Sequence, residues 1–187
     1  MFIQTEQTPN PQTLKFLPGK VVMDDGTAFF QNITEASNSP FAKRLFALEG
    51  VEGVFFGSDF ITITKSQTLD WQVMKPLILG SIMDHYNSNE KTIIKDNDKQ
   101  KSSLSINEED NDIVKQIKEL LDTRVRPAVA MDGGDIIYDS FKDGIVYLQM
   151  QGACSGCPSS TATLKMGIEN MLKHYVPEVQ EVRPINA

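Results

Sequence analysis

Blocks of apolar residues separated by turn residues predict a first folded region over residues 1–87. The run Leu14–Leu17 is typical of a strand, and Pro18-Gly19 ends it. Two further runs, Val51–Phe56 and Phe60–Lys65, flank Gly57-Ser58-Asp59 and predict a β-hairpin. The Thr8–Pro11 segment contains two prolines, which restrict the backbone and indicate a turn.

Two helices are predicted in the same region from capping residues and apolar spacing. Ser39 is a favourable N-cap, Pro40 suits the first helical position, and we expect a helix over Phe41–Leu48. Asp70 is predicted to cap a second helix, which Pro76 should either kink or begin. The apolar residues expected to share one face of this helix are Trp71, Met74, Ile78 and Ile82. The aromatic residues predicted to form the core of this region are Phe41, Phe46, Phe55, Phe56, Phe60 and Trp71.

A second region, residues 108–187, has a clearer pattern. Apolar residues at helical spacing predict a helix over Ile113–Val125, which Arg126-Pro127 should disturb. Asp143-Gly144 predicts a tight turn joining strands Ile136–Phe141 and Ile145–Gln151. A helix to about Tyr175 follows, and then a last strand over Val179–Ile185. The residues expected on the inner face of that helix are Leu164, Ile168, Met171 and Tyr175. The order helix, strand, strand, helix, strand predicts a small α+β domain.

Between these regions, residues 88–107 are rich in Asn, Lys, Glu, Asp and Ser. A segment of this composition buries too little apolar surface to offset the entropy lost on ordering. We therefore expect two small α+β domains, 1–87 and 108–187, joined by a flexible polar linker.

Charge and hydropathy exclude two classes of partner. The chain has 187 residues and a net charge of −7 without any Lys/Arg cluster, which argues against binding to nucleic acid. No apolar run approaches the ~18 residues of a membrane span. The N-terminal residues lack the features of a secretory signal or an organelle presequence. These features are typical of a cytosolic chain, unless the sequence is that of a processed form.

The only two cysteines of the chain lie in the segment Cys154-Ser155-Gly156-Cys157. Their thiols are the strongest candidates for metal binding or redox chemistry. Two thiols at this spacing can converge on one metal atom, and the same spacing is also found in dithiol redox sites. Pro158 suits the first position of a helix, whose N-terminus favours the thiolate form of both cysteines. Three interpretations stay open from spacing alone: a metal or cluster site, a dithiol oxidoreductase, and two inert thiols.

The number of ligands narrows these interpretations. Structural zinc and iron–sulfur clusters generally take four protein ligands, whereas the chain offers two cysteines and two histidines. His85 and His174 fall late in predicted helices and are expected to face solvent or to cap them. Asp132 and Asp135, around Gly133-Gly134, are expected to be turn and capping residues. Four thiolates therefore require two copies of the chain, and a cluster or a structural zinc ion would hold such a homodimer together.

Two long motifs around the cysteines resemble the C-terminal domain of NifU. They are Arg126-Pro127-Ala128-Val129-Ala130-Met131-Asp132-Gly133-Gly134-Asp135 and Leu148-Gln149-Met150-Gln151-Gly152-Ala153-Cys154-Ser155-Gly156-Cys157-Pro158-Ser159-Ser160. The first region resembles the N-terminal domain of Nfu proteins through Thr5–Pro11, Leu45-Phe46, Gly50-Val51 and Gly57–Thr62. The resemblance covers nearly the whole chain except the linker.

The resemblance implies a non-catalytic scaffold and carrier of iron–sulfur clusters. In that family the two motif cysteines, here Cys154 and Cys157, bind a cluster that bridges two subunits and passes to apo-proteins. The implied cofactor is a [4Fe–4S] cluster, with [2Fe–2S] as the alternative. The implied partners are a second copy of the chain, upstream cluster-assembly proteins and apo client proteins. The N-terminal domain is expected to contact clients or partners. Members of the family occur in bacteria and in mitochondria, so the resemblance implies the bacterial cytoplasm, or the mitochondrial matrix if the chain is a processed form.

Overall fold

The computed structural model describes residues 2–88, 90–94, 111–156 and 158–185. These residues form two compact units, one that ends at residue 94 and one that begins at residue 111, and both contain helices and strands. Two small α+β domains are therefore confirmed. In the described part of the chain no helix has the length and apolar character needed to span a membrane.

The first domain contains a five-stranded antiparallel sheet in the order β1-β2-β5-β4-β3. Its strands are β1 (Gln4–Gln7), β2 (Thr13–Leu17), β3 (Ala28–Phe30), β4 (Val51–Phe56) and β5 (Ile61–Lys65). The predicted strand and hairpin are confirmed as β2 and β4–β5. The two edge strands, β1 and β3, were not predicted from the sequence.

Two α-helices, α1 (Pro40–Phe46) and α2 (Trp71–Ser88), and one 3₁₀ turn (Glu35–Asn38) complete the first domain. Ser39 caps α1 as predicted, because its Oγ accepts a hydrogen bond from the Ala42 amide at 3.1 Å. Helix α2 begins at Trp71 and runs through Pro76, so of the two predicted roles of Pro76, the one as the start of the helix is wrong.

The core of this domain lies between the helices and alternate residues of the strands. Its largest members from the strands are Phe16, Phe56, Ile61 and Ile63, and those from the helices are Phe41, Leu45, Met74, Ile78 and Ile82. Of the aromatic residues predicted for the core, Phe41, Phe55, Phe56 and Phe60 are buried, while Phe46 and Trp71 are half-buried.

The expectation of a solvent-facing or capping His85 is wrong. His85 is only 2% exposed, and its ring stacks on the ring of Phe41 with centroids 3.7 Å apart and an interplanar angle of 3°. His85 continues the face of Met74, Ile78 and Ile82 by one further turn, so the helical spacing already contained this signal. Burial lowers the pKa of His85, and nearby Arg44 acts in the same direction.

Residues at the start of the predicted linker contact the first domain. Ser39 Oγ donates to the Thr92 carbonyl at 2.6 Å, and the Ile94 amide donates to the Asn38 carbonyl at 2.8 Å. Glu90 forms an ion pair with Arg44 at 2.7 Å. The chain between residues 90 and 94 is therefore anchored, and residues 95–107 of the predicted linker lie outside the described residues.

The second domain consists of helices packed on a three-stranded sheet in the order β6-β7-β8. Its elements are α3 (Asp112–Leu120), a π turn (Leu121–Val125), α4 (Arg126–Met131), β6 (Gly134–Lys142), β7 (Ile145–Gly152), α5 (Pro158–Tyr175) and β8 (Glu181–Ile185). β6 and β7 are antiparallel, and β7 and β8 are parallel. The predicted order of elements is confirmed, including the hairpin turn at Asp143-Gly144, where both residues have positive φ.

The helix is disturbed next to Arg126-Pro127, as predicted, but its path continues through these residues. The Arg126 amide donates to the Leu121 carbonyl, five residues earlier, so the helix widens into a π turn before Pro127. Pro127 then occupies the first turn of α4, where the missing N–H of proline costs little. α3 and α4 therefore run on as one helical path that leads from Asn111 to the Asp132 turn.

The core of the second domain joins this helical path, the sheet and α5. Its most deeply buried members are Ile117, Leu121, Val129, Ile136, Val146, Leu148, Leu172, Val176 and Val182. Of the four residues predicted for the inner face of α5, Ile168 is buried, Leu164 and Met171 are half-buried, and Tyr175 is 39% exposed. Leu172, which was not among these four, is fully buried and contributes to the core instead of Tyr175.

Candidate functional site

Cys154 lies in the short loop that joins the end of β7 to the start of α5. The main chain of this loop is held on both sides: the Ala153 amide donates to the Gly133 carbonyl at 3.1 Å, and Thr161 Oγ1 donates to the Cys154 carbonyl at 3.1 Å. Gly152 has φ +64°, which lets β7 turn sharply into the loop. The backbone of Cys154 is therefore fixed between the turn before β6 and the first turns of α5.

The sulfur of Cys154 packs directly against Gly134, the first residue of β6. A Cβ atom on Gly134 would lie 2.7 Å from Cys154 Sγ and 2.6 Å from the Gln151 carbonyl oxygen. Side-chain atoms do not approach each other so closely, so only glycine fits at this position while the sulfur stays where it is. Gly134 thus forms the wall of the site.

Asp135, the next residue of β6, forms a two-pronged ion pair with Arg126. Arg126 Nε donates to Asp135 Oδ1 and Arg126 Nη2 donates to Asp135 Oδ2, both at 2.8 Å. Asp135 Oδ1 also accepts the Ile136 amide at 2.8 Å, and Arg126 Nη1 donates to Asp122 at 3.1 Å. The prediction that Asp135 is a turn or capping residue is wrong, because its carboxylate is buried and paired with a guanidinium.

Burial and neighbouring charge oppose ionisation of Cys154. The residue is 5% exposed, and burial, together with the carboxylates of Asp132 and Asp135, raises the pKa of its thiol to about 12. The expectation that a helix N-terminus would favour the thiolate is therefore wrong for Cys154. The physical reason is position: α5 begins only at Pro158, and the nearer groups are carboxylates.

The second domain contains one further predicted ligand and one histidine. Cys157, the second motif cysteine, lies outside the described residues. His174 is exposed as predicted, and it follows Pro158 by 16 residues of helix, about 24 Å along the axis. Among the described residues no group of three or more His, Cys, Asp or Glu side chains is arranged to hold a metal ion.

Comparison with known families assigns both domains. The model described as "Scaffold protein Nfu/NifU N terminal" matches residues 3–89, and the model described as "NifU-like domain" matches residues 117–183. A human protein, "NFU1 iron-sulfur cluster scaffold homolog, mitochondrial", is 51% identical over 186 residues, which are 99% of this chain and 72% of the human protein. The chain belongs to the Nfu (NifU-like) family of iron–sulfur cluster scaffold proteins. The resemblance stated from the motifs is confirmed.

Two further proteins, one known by sequence and one by structure, are similar to this Nfu-family chain. "NifU-like protein 4, mitochondrial" of Arabidopsis thaliana is 53% identical over 184 residues, 97% of this chain and 65% of that protein. The chain therefore spans about two thirds of the length of this relative. The solution structure of a NifU-like protein from Saccharomyces cerevisiae is 29% identical, with a TM-score of 0.47, and covers 51% of this chain and 87% of that one.

Sequence reasoning located the cysteine loop of this Nfu-family chain but not the residues that surround it. Gly134, Arg126 and Thr161 were not singled out as site residues, although Arg126 and Gly134 fall within the motif that carried the family resemblance. Their roles depend on contacts with Cys154 or with Asp135, which are formed across the turn and the sheet. A signal was present in the motif, but its physical meaning required the three-dimensional contacts.

Proposed function

We propose that the chain is a non-catalytic carrier that binds an iron–sulfur cluster between two copies through Cys154 and Cys157 and delivers it to apo-proteins. The observation that carries this proposal is the place of Cys154: in a chain of the scaffold family, the first motif cysteine is built into a loop whose backbone is held by β6 and α5. The cluster is the cargo of the protein, and a bridging [4Fe–4S] cluster is the form we favour over [2Fe–2S].

The number of sulfur ligands supports the use of two copies. The sequence contains two cysteines, so one chain supplies two of the four thiolates that these clusters generally take. The histidines do not make up the difference, because His85 is buried against Phe41 in the first domain and His174 lies at the far end of α5. Two copies related by a twofold axis, the commonest symmetry of homodimers, would bring four identical thiols together.

The surroundings of Cys154 fit a thiol that ionises only when iron is bound. In the metal-free chain, burial and two carboxylates hold the pKa of Cys154 near 12. A bound metal cation reverses this balance, since its charge deprotonates a coordinating thiol outright. Sulfur is the donor that iron–sulfur clusters use, whereas the Asp135 carboxylate is already paired with Arg126.

The two alternatives from the sequence make different demands on the site. A dithiol oxidoreductase needs a thiolate that attacks a disulfide near neutral pH, but with a pKa of about 12 only ~10⁻⁵ of Cys154 would be ionised at pH 7. Cys154 would then have to be the resolving thiol. A structural zinc dimer would use the same four thiolates, and it is distinguished by metal content.

The test is anaerobic reconstitution with iron and sulfide, followed by visible absorption, iron and sulfide analysis and mass in solution. About two irons per chain in a cluster-dependent dimer would identify a bridging [4Fe–4S] cluster, and about one would identify [2Fe–2S]. Cys154→Ser and Cys157→Ser should each abolish binding. The proposal fails if either variant retains a stable cluster, if the anaerobic protein holds zinc alone, or if the metal-free protein reduces disulfides catalytically.

Transfer and location complete the proposal. The loaded dimer should pass its cluster to an apo iron–sulfur protein faster than free iron and sulfide do, and it should accept clusters from an upstream assembly protein. The human and Arabidopsis relatives are named as mitochondrial proteins. Of the two locations expected from the sequence, these names favour the mitochondrial matrix, and fluorescence microscopy of the tagged protein in its own cells would test it.

A further inference from the structure

The ion pair between Arg126 and Asp135 joins two elements that meet beside the cysteine loop. Arg126 is the first residue of α4 and Asp135 is the second residue of β6, and the Asp132 turn lies between these elements. Both contacts are 2.8 Å, and the side chains are 24% and 5% exposed. A planar guanidinium held by both oxygens of a carboxylate fixes orientation as well as distance.

The carboxylate of this pair is one residue from the wall of the Cys154 site. Gly134 packs against Cys154 Sγ, and the register of the sheet places Gly134 opposite Gly152 and Asp135 opposite Gln151. Asp135 Oδ1 also accepts a hydrogen bond from the Ile136 amide. The position of the carboxylate is therefore coupled to the position of the first residues of β6. A shift of Asp135 would therefore move the wall against which the sulfur rests.

The guanidinium is in turn placed by the helical path before it. The π turn at Leu121–Val125 adds one residue to the helical turn. The extra residue rotates the following residues about the helix axis, and the Arg126 side chain then faces β6. Asp122, within that turn, accepts the remaining contact from Arg126 Nη1 at 3.1 Å. The Arg126 side chain thus joins the π turn to β6.

We propose that Arg126 and Asp135 are positioning residues for the cluster site: their ion pair clamps the α4–β6 connection so that Gly134 holds the Cys154 sulfur in place for the cluster. This inference rests on the proposed function, because it concerns the same cysteine. Neither residue touches the cargo in this proposal. Both act through Gly134 and the Gly133 carbonyl, which holds the Ala153 amide.

The chain offers a matched control for this pair. Arg183 forms the same two-pronged contact with Glu181 in the same domain, with both distances at 3.0 Å, but the pair is exposed. Arg183 lies opposite Tyr147 in the sheet, five residues or ~17 Å along β7 from Gly152. Arg126→Lys and Arg183→Lys therefore make the same chemical change: each removes the two-pronged contact of the guanidinium and keeps the positive charge. The first change is near the Cys154 site and the second is far from it.

The first arm of the experiment does not need a cluster. In a metal-free chain carrying Cys157→Ser, the alkylation rate of Cys154 by iodoacetamide is followed by mass spectrometry. We expect Arg126→Lys to raise this rate on the order of 10-fold, because loosening the wall exposes the sulfur more often, and Arg183→Lys to leave it within about 2-fold. Asp135→Asn should act in the same direction as Arg126→Lys.

The second arm uses the chain with both cysteines, reconstituted anaerobically. We expect Arg126→Lys to change the visible circular dichroism of the cluster and to speed loss of iron to a chelator several-fold, while Arg183→Lys matches the unaltered protein. The inference is overturned if the two lysine variants behave alike in alkylation, or if Arg126→Lys and Asp135→Asn both unfold, since the pair would then serve the fold as a whole. An unaltered chain that takes up no cluster would instead refute the proposed function, while the alkylation result would still decide the role of the pair.

Discussion

Gly134→Ala is the substitution whose effect the structure defines most closely. The added methyl group would lie 2.6 Å from the Gln151 carbonyl oxygen and 2.7 Å from Cys154 Sγ. Restoring the 3.4 Å at which ordinary contact begins requires the oxygen to move about 0.8 Å and the sulfur about 0.7 Å. The oxygen belongs to the paired strand β7 and the sulfur to a loop held at its backbone, so neither moves without disturbing hydrogen bonds.

We expect this overpacking to cost about 1 to 3 kcal/mol of stability in the second domain. For a domain of this size the midpoint of thermal unfolding should fall by roughly 4 to 20 °C. Differential scanning calorimetry of the full chain measures the shift, and iron analysis after anaerobic reconstitution measures the loss of cluster binding. A displacement of the sulfur should also lower the iron bound per folded chain.

Gly167→Ala is the matched control for this experiment. Gly167 lies within α5 of the same domain, and a Cβ there would meet nothing within 4 Å. The same added methyl group should therefore stabilise the domain by about 0.5 to 1 kcal/mol, since alanine favours a helix interior over glycine. If Gly134→Ala unfolds at or above the midpoint of the unaltered protein and binds iron normally, the packing of Cys154 against Gly134 is refuted.

Two further predictions concern the first domain. Ser39→Ala should lower its free energy of unfolding by about 1 to 2 kcal/mol, because the Ala42 amide loses its acceptor and the Thr92 carbonyl loses a donor; an unchanged urea midpoint would contradict this. The pKa of His85 is lowered in the folded domain, so the unfolded chain gains a proton more readily, and stability should fall as the pH drops below about 6.5. Urea unfolding between about pH 7.5 and about pH 5 measures this effect, which His85→Phe should reduce and His174→Gln should leave unchanged.

The elements that could be predicted from the sequence are those whose signal is local. Ser39-Pro40 began a helix and Asp143-Gly144 closed a hairpin because capping and turn residues act on their immediate neighbours. Strands β1 and β3 escaped prediction since they are short edge strands. The four residues of β1 are Gln, Thr, Glu and Gln, so no apolar alternation marks them, and only pairing with β2 makes them a strand.

The interpretation of Asp135 failed for a different reason. A carboxylate next to Gly133-Gly134 has the local features of a turn residue, and the sequence gives no sign of how far away its partner lies. The partner, Arg126, is nine residues earlier and reaches Asp135 only because the π turn sets its direction. Apolar periodicity assumes 3.6 residues per turn and does not encode the extra residue that a π turn adds.

The chemistry of Cys154 shows most clearly what a motif leaves out. Cys154-Ser155-Gly156-Cys157 specifies which atoms can bind iron, and the spacing suggested a reactive thiolate. Burial raises the pKa of the Cys154 thiol most, and Asp132 and Asp135, which precede it by about 20 residues along the chain, act in the same direction. Since a guanidinium orients one of these carboxylates and a glycine holds the sulfur, the properties of the cysteine depend on the α4–β6 connection as much as on its own loop. If the proposed function holds, substitutions in residues 126–135 should therefore alter cluster binding, although the proposed ligands are Cys154 and Cys157.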